Sequence, residues 1–394
     1  MADYPNAIFG GKTALEFART PNLDRIASEG EIGLVKTIPQ GLPPGSDTAN
    51  LSVIGYDPNR YYTGRSPFEA ASLGIELQPD DVSFRCNLVT LSDETSYRDK
   101  SMVDYAAGEI TTDEAGELIQ SIAVELNTEL IKFYRGFRYR HIMVWQGIAD
   151  QWDLTPPHDI SGRTIGNYLP AGIEADQLTG IMERSNILLS EHPVNKKRIK
   201  KGLNPANSIW IWGNGRRPLL PSFKEEYGIN GAVISAVDLI KGLGILAGLE
   251  SIDVDGATGD LDTNYEGKVS AALSALKGGH DFVYLHIEAP DECSHRFEAQ
   301  NKVRAIELID QKVVQPILSD LEKNNLEFSL LLTADHATPL SLGTHTDDPV
   351  PYAIYRSNRP GNNKQCCYDE KNASESGIYF EEGYKLMKHF LQEE

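Results

Sequence analysis

Apolar residues recur along the chain in alternating stretches of helical and strand period, which predicts helices interleaved with strands. Thr20-Pro21, followed by Leu23, Ile26 and Ala27 and closed by Gly30, predicts a capped helix: threonine at the cap, proline at the first position, glycine past the end. A short strand from Ile32 to Thr37 follows, and then a loop of turn formers from Pro39 to Gly45. Ser46 opens the next helix, which ends near Gly55. Its hydroxyl therefore sits where backbone N–H groups and the helix dipole favour an anion.

Around Asp80 the texture changes. Val82 to Thr90 and Tyr139 to Trp145 read as strands, and Glu109 to Leu130 and Ala175 to Leu189 as helices. Residues 80–189 are expected to form a smaller α+β domain inserted into the first, leaving 1–79 and 190–394 as one discontinuous domain. The basic run Lys196-Lys197-Arg198-Ile199-Lys200-Lys201 reads as a solvated hinge on the return linker. Beyond it, strands at 209–212, 232–237, 251–254, 282–287 and 328–333 alternate with helices at about 239–248, 265–277, 299–323 and 374–392. This order predicts an α/β fold with helices on both faces of a largely parallel sheet.

Composition narrows the function classes. The formal net charge of -20 argues against nucleic-acid or anionic-membrane binding, which needs a positive field. No window approaches the roughly eighteen consecutive apolar residues of a membrane span, and there is no signal-peptide apolar region, so a soluble cytoplasmic protein is expected. Cys86, Cys293, Cys366 and Cys367 lack metal-ribbon or C-x-x-C spacing, which makes reduced thiols the default. The sequence leaves a homo-oligomer open. A phosphorylated small-molecule substrate would need local cations to overcome the repulsive global field.

Four short stretches carry the chemistry: Gly45-Ser46-Asp47, Asp291-x-x-x-His295, Asp335-His336 and His345. Asp291 and His295 lie one helical turn apart, so both can be aimed at one ion. Asp335 and His336 end an apolar run that reads as a strand. This mix of carboxylate and imidazole suits hard or borderline divalent metals, and paired ions can clamp both oxygens of an in-line phosphoryl displacement. Ser46 supplies a nucleophile. Local sequence alone makes Ser46 a plain N-cap; the downstream clusters shift the balance to chemistry. Only nine histidines occur, so two of them beside aspartates weigh against a surface accident. His280 and His286 flank a strand and read as structural. His158 with Asp159 lines a substrate cleft or a turn. Arg65, Arg140, Arg216, Arg217 and Lys241 are candidates for gripping carboxylate or phosphate.

At these residues the chain resembles the archaeal-type cofactor-independent (2,3-bisphosphoglycerate-independent) phosphoglycerate mutases of the alkaline phosphatase superfamily. The resemblance is carried by Gly41-Leu42-Pro43-Pro44-Gly45-Ser46-Asp47, Gly55-Tyr56-Asp57-Pro58, Thr63-Gly64-Arg65-Ser66-Pro67, the strand from Phe84 to Thr90, Asp255-Gly256-Ala257-Thr258-Gly259, His286-Ile287-Glu288-Ala289-Pro290-Asp291 and Ala334-Asp335-His336-Ala337-Thr338-Pro339. It implies an alkaline-phosphatase-like core and two divalent ions, manganese first, with magnesium, cobalt or zinc also suited. Ser46 matches the serine that is phosphorylated and that contacts one metal, shared with Asp335 and His336. Asp291, His295 and His345 match the ligands of the other. The implied reaction is interconversion of 3-phosphoglycerate and 2-phosphoglycerate in glycolysis and gluconeogenesis, with the inserted block as a lid that keeps water from the phosphoserine.

Two positions depart from the family pattern. Ser294 stands where glycine is usual. The apolar strand ending in Asp-Gly, whose aspartate ligates the serine-side metal, is missing before Met1; Asp3 is a poor stand-in, and the numbering is expected to begin at an internal methionine. Other readings of the same residues are a phosphotransferase to another alcohol such as homoserine, a metal-dependent phosphatase, and a metal-binding protein without activity.

Overall fold

The structure is a computed structural model that describes residues 1–149, 151–361 and 366–392. Two compact units emerge: Met1–Tyr62 together with Leu219–Glu394, and Thr63–Pro218. The second unit is wider than the 80–189 block that texture suggested. Strand pairing explains the difference, because Ser208–Gly215 runs antiparallel to Asp81–Leu91 and sets Trp210 opposite Asn87. At the other end, Ser66 on the helix Ser66–Ser72 bonds to the carbonyl of Ser83 at 2.8 Å.

Asp81–Leu91 is the centre of this unit and is buried along its whole length. It is flanked by Ser208–Gly215 and Arg140–Gln146, with Ile131–Phe137 paired outside the latter and Met102–Asp104 at its far end, all antiparallel. The helix Thr112–Leu126 turns Leu118, Ile119, Ile122 and Leu126 into the core, the spacing of one helical face. Ala175–Ser190 adds Leu178 and Met182 to the same core. The basic run is not a hinge. Pro193–Lys200 is a helix, and Arg198 is buried on it, paired with Glu114 at 2.5 Å and donating to the carbonyls of Ala107 and Asn204 at 2.8 Å. Five donors in a rigid fork let one guanidinium close three chain segments together.

The strands of the first unit form two sheets, not one largely parallel sheet. Gly231–Ile234 lies between Glu250–Ser251 and Phe282–Leu285, all parallel. Val350–Arg356 lies antiparallel between Ser329–Thr333 and Glu31–Val35, and Tyr379–Phe380 pairs parallel with the latter. Phe282–Leu285 and Ser329–Thr333 both line a cavity of about 640 Å³, with Met1 also in its wall, and do not bond to each other. The patterning missed Val350–Arg356, a buried apolar run that Pro351 disguises.

Two helix expectations are corrected. Residues 299–323 are Ala299–Ile309, a π-helical turn Asp310–Val314, and Gln315–Lys323. That turn carries buried Asp310, whose carboxylate accepts from the backbone N–H groups of Asn22 and Leu23 at 2.8 Å. It caps the helix Pro21–Glu29, the role expected of Thr20, whose side chain makes no cap bond. Residues 374–392 are not one helix either: Glu370–Glu375 ends, Gly377 adopts φ 74°, the strand Tyr379–Phe380 follows, and Lys385–Leu391 closes the segment.

His141, on the strand Arg140–Gln146, is buried, and its Nδ1 accepts from the Gly136 N–H at 3.0 Å. Burial, with nearby Arg135, pushes its pKa down to about 3. The unfolded chain binds this proton below its ordinary value of about 6.5 and the folded chain does not, so stability is intact above that value and falls as pH drops toward 3. Between pH 6.5 and 4.5 the native chain should lose about 1–2 kcal/mol more stability than His141→Asn, measured by urea unfolding. Equal losses would refute the assignment.

Candidate active site

Ser46 is the first residue of the helix Ser46–Val53, with Gly45 at the N-cap. Asn50, one turn on, fixes that helix to the end of the strand Ser329–Thr333. Its Nδ2 donates to the carbonyl of Ser46 at 2.8 Å and to Asp335 Oδ2 at 2.9 Å, while its Oδ1 accepts from the Tyr284 hydroxyl at 2.5 Å. Thr37 Oγ1 donates to the carbonyl of Asp335 at 2.5 Å. The result places Ser46 Oγ 3.0 Å from His336 Nε2, with Asp335 Oδ2 3.4 Å from the same nitrogen.

The other ligand candidates meet beside this group. Asp291 and His295 share the helix Ala289–His295, and His345 comes from the chain that follows the strand end, held by a bridge between Ala337 and Thr346. His295 Nε2 is 3.1 Å from Asp291 Oδ2 and 3.0 Å from His345 Nε2; His345 Nε2 is 3.4 Å from Asp291 Oδ1. The rings of His336 and His345 lie 3.9 Å apart between centroids, so the two groups adjoin. All six residues expected to carry the chemistry are thus brought together.

Electrostatics are strongly perturbed here. Burial pushes the Asp291 carboxyl up, but its contacts with His295 and His345 outweigh that and hold it well below the usual carboxylate range. The same contact with Asp291 raises His295 to about 9. His336 is lowered, chiefly by burial, so its imidazole is neutral near pH 7. Asp335 is also lowered, burial being outweighed by His336 and His286.

The donor chemistry fits a divalent cation. Ligand atoms of Asp291, His295 and His345 all lie within 4.8 Å of one another. His295 Nδ1 faces the carbonyl of Gly343 at 2.9 Å, which commits that nitrogen to donation and leaves Nε2 for a ligand. Two such nitrogens at 3.0 Å beside a carboxylate call for a positive charge among them. Asp335 and His336 supply two further ligands next to Ser46.

The remaining candidates are scattered. Asp47 accepts from the Tyr62 hydroxyl at 2.8 Å. Asp3 pairs with Lys302 at 2.9 Å and does not join the cluster. Lys241 pairs with Asp253 at 2.6 Å. His286 is half-buried, 3.1 Å from Ser235, its pKa lowered to about 4 by desolvation, and His280 lies 3.0 Å from Glu250.

In the Thr63–Pro218 unit, Arg65 lies 3.1 Å from Glu69, and Arg140 adds its charge to the same carboxylate. His158 packs edge-on to Trp212 at 5.4 Å, with Asp159 3.6 Å from its Nε2. Arg216 donates to the carbonyls of Ile148 and Pro79, at 2.6 and 3.4 Å, as a brace of the backbone, and Arg217 is exposed.

Sequence reasoning missed Arg85, buried 2.8 Å from Glu69 and stacked 4.2 Å from the Trp212 ring. An arginine inside the apolar run Phe84-Arg85-Cys86 was the available signal. It also missed Asn50, one turn after Ser46.

Residues 27–195 match the PhosphMutase family, described as 2,3-bisphosphoglycerate-independent phosphoglycerate mutase. A Geobacter sulfurreducens protein named probable 2,3-bisphosphoglycerate-independent phosphoglycerate mutase is 50% identical over 391 residues, which is 99% of this chain and 97% of that protein. The structure of the PH0037 protein from Pyrococcus horikoshii superposes with a TM-score of 0.80 at 28% identity, covering 100% of this chain and 96% of that one. A cofactor-independent phosphoglycerate mutase from Thermoplasma acidophilum does so with a TM-score of 0.64 at 27% identity, over 100% and 96% of the two chains. The chain belongs to the 2,3-bisphosphoglycerate-independent phosphoglycerate mutases, a family of isomerases.

Proposed function

We propose that this protein interconverts 3-phosphoglycerate and 2-phosphoglycerate through a phosphoserine on Ser46, without 2,3-bisphosphoglycerate. The observation that supports it best is Ser46 Oγ, 3.0 Å from a neutral His336 and one ring away from the Asp291, His295 and His345 group. Asp291, His295 and His345 would hold one divalent ion, and Asp335, His336 and Ser46 a second; manganese is the first choice, with magnesium, cobalt and zinc suited to the same donors. When bound, such ions supply positive charge and Lewis acidity to the transferring phosphoryl group.

The chain's own residues do the rest. Ser46 Oγ forms the bond to phosphorus as the bond to the glycerate oxygen breaks; the Ser46 hydroxyl loses its proton, the departing glycerate oxygen gains one, and the phosphoserine stands at a helix N-terminus, where the dipole favours a dianion. Asn50 keeps the Ser46 backbone fixed during transfer. Glycerate then presents its other hydroxyl and takes the phosphoryl group back. We assign the glycerate carboxylate to the cluster of Arg65, Arg85 and Arg140, where three guanidiniums face one carboxylate, Glu69, in a protein that is otherwise strongly acidic. In this reading the Thr63–Pro218 unit serves as the lid that excludes water. No described helix is long and apolar enough to cross a membrane, which suits the cytoplasmic setting we assign. The relatives' names favour this reading over a homoserine kinase or a phosphatase.

Ser46→Ala should abolish turnover of 3-phosphoglycerate in a coupled assay with manganese and no bisphosphate, by on the order of 10⁴-fold in kcat. Activity within tenfold of the native chain would sink the nucleophile assignment. Native protein should carry two ions per chain by plasma mass spectrometry, and His295→Ala one. Equal metal content in the two proteins would show that His295 is not a ligand.

A further inference from the structure

One hydroxyl sits between the two ligand groups. Thr338 follows His336 by two residues and is buried, and its Oγ1 lies 2.5 Å from Asp291 Oδ1 and 3.2 Å from His336 Nδ1. It touches both groups at once.

Hydrogen-bond stoichiometry fixes the direction of this chain. Asp291, in contact with the nitrogens of His295 and His345, is a carboxylate and can only accept. The single hydroxyl hydrogen of Thr338 therefore goes to Asp291. Toward His336 the same oxygen must accept, so His336 Nδ1 carries the ring hydrogen. Its Nε2 is then the ring nitrogen turned to Ser46 Oγ, 3.0 Å away. The sequence of donors runs from Ser46 to His336 to Thr338 to Asp291, linking the nucleophile to the opposite ligand group.

Thr338 is itself held from behind. Lys302 Nζ donates to the Thr338 carbonyl at 2.9 Å and to the Ala2 carbonyl at 3.3 Å, and pairs with Asp3 at 2.9 Å. The side chains of Lys302 and Asp3 are 0% and 1% exposed. Asp3 Oδ1 in turn accepts from the Leu340 N–H at 3.0 Å. A buried ion pair costs desolvation and is not retained for stability alone. Here it grips the backbone at Thr338 and, two residues on, at Leu340.

We propose that Thr338 is a positioning residue: its hydroxyl sets the tautomer of His336 and aims Asp291, tying the partner of the nucleophile to the other ligand group. The proposal rests on the metal-dependent reading of the site given above. A threonine kept only for packing would tolerate valine, which has the same shape without the hydroxyl.

The test compares Thr338→Val with Thr338→Ser in the full-length protein, reading manganese affinity by calorimetry and kcat and KM for 3-phosphoglycerate. Thr338→Val should bind manganese ten- to a hundredfold more weakly, the usual effect of removing an outer-shell partner, and lose kcat with little change in KM. Thr338→Ser should restore both to within about threefold. Thr338→Val with manganese affinity within twofold of the native chain would overturn the proposal. So would a serine variant as impaired as the valine one, since methyl packing would then explain the loss. A native chain that binds manganese but shows no mutase turnover would overturn the activity reading, while the affinity arm still decides Thr338. Nitrogen-15 spectra of the metal-free native protein give a check that needs no Thr338 variant to fold. The resonance lost in His336→Gln should show hydrogen on Nδ1, and hydrogen on Nε2 would refute the proposal.

Discussion

A carboxylate and two imidazole nitrogens cannot rest at 3.0–3.4 Å from one another without a positive charge among them. That constraint organises the first unit. Protons answer it in part: contact with Asp291 raises His295 to about 9, and the two histidines hold Asp291 low. A divalent ion would replace those protons, and its binding energy would be coupled to the folding of the segments that supply the ligands. Those segments are far apart in sequence. The helix Ala289–His295, the end of the strand Ser329–Thr333 and the stretch to His345 converge only when the two sheets of the unit are in place.

The two sheets meet this demand without joining. Phe282–Leu285 and Ser329–Thr333 each leave their facing edges to a shared apolar cavity, yet the chain that leaves each strand runs directly into a ligand motif. Short polar side chains bridge the separation at the ligand end. Tyr284 on the first strand bonds to Asn50, and Asn50 bonds to Asp335 beyond the second. Thr338 makes the equivalent tie between Asp291 and His336. Registration of these segments therefore rests on side-chain hydrogen bonds where a continuous sheet would use its backbone ladder, and each tie is made by a buried side chain, Asn50 or Thr338, whose unmade bond would be costly.

Strong local periodicity was legible in the sequence: Pro21–Glu29, Asp81–Leu91, Ala175–Ser190 and Tyr265–Lys277 all lie within a residue or two of the ranges that patterning suggested. Departures occur where tertiary contacts override local signals. The basic run became a helix because buried Arg198 has three partners, and a 25-residue helical pattern broke at Asp310 because its carboxylate is needed at another helix's N-terminus. The candidate ligand residues stood out in sequence because carboxylate and histidine at fixed spacing are rare. Asn50, Tyr284 and Thr338 were not, since an amide, a phenol or a hydroxyl carries no signature until its partners are known. Arg216 and Lys241 show the converse. A cation in sequence does not reveal that a carbonyl or an aspartate already engages it.

The same logic bears on where charge sits. A net charge of -20 would repel a phosphorylated acid from most of the surface, so the cations that receive it must be few and fixed. Under the proposed function Arg85 is one of these cations. It is buried in the middle of a strand, held by Glu69 on one side and by the Trp212 ring on another, and its pKa falls to about 10 through burial and the neighbouring arginines. A guanidinium remains charged at that value, so burial fixes its orientation without removing its charge. Arg65, Arg85 and Arg140 all lower the Glu69 carboxyl, so the cations of this unit are gathered at one point. A lysine in place of Arg85 could not keep both the carboxylate contact and the stacking on Trp212, because an ammonium has neither the planar fork nor the flat face that this position uses.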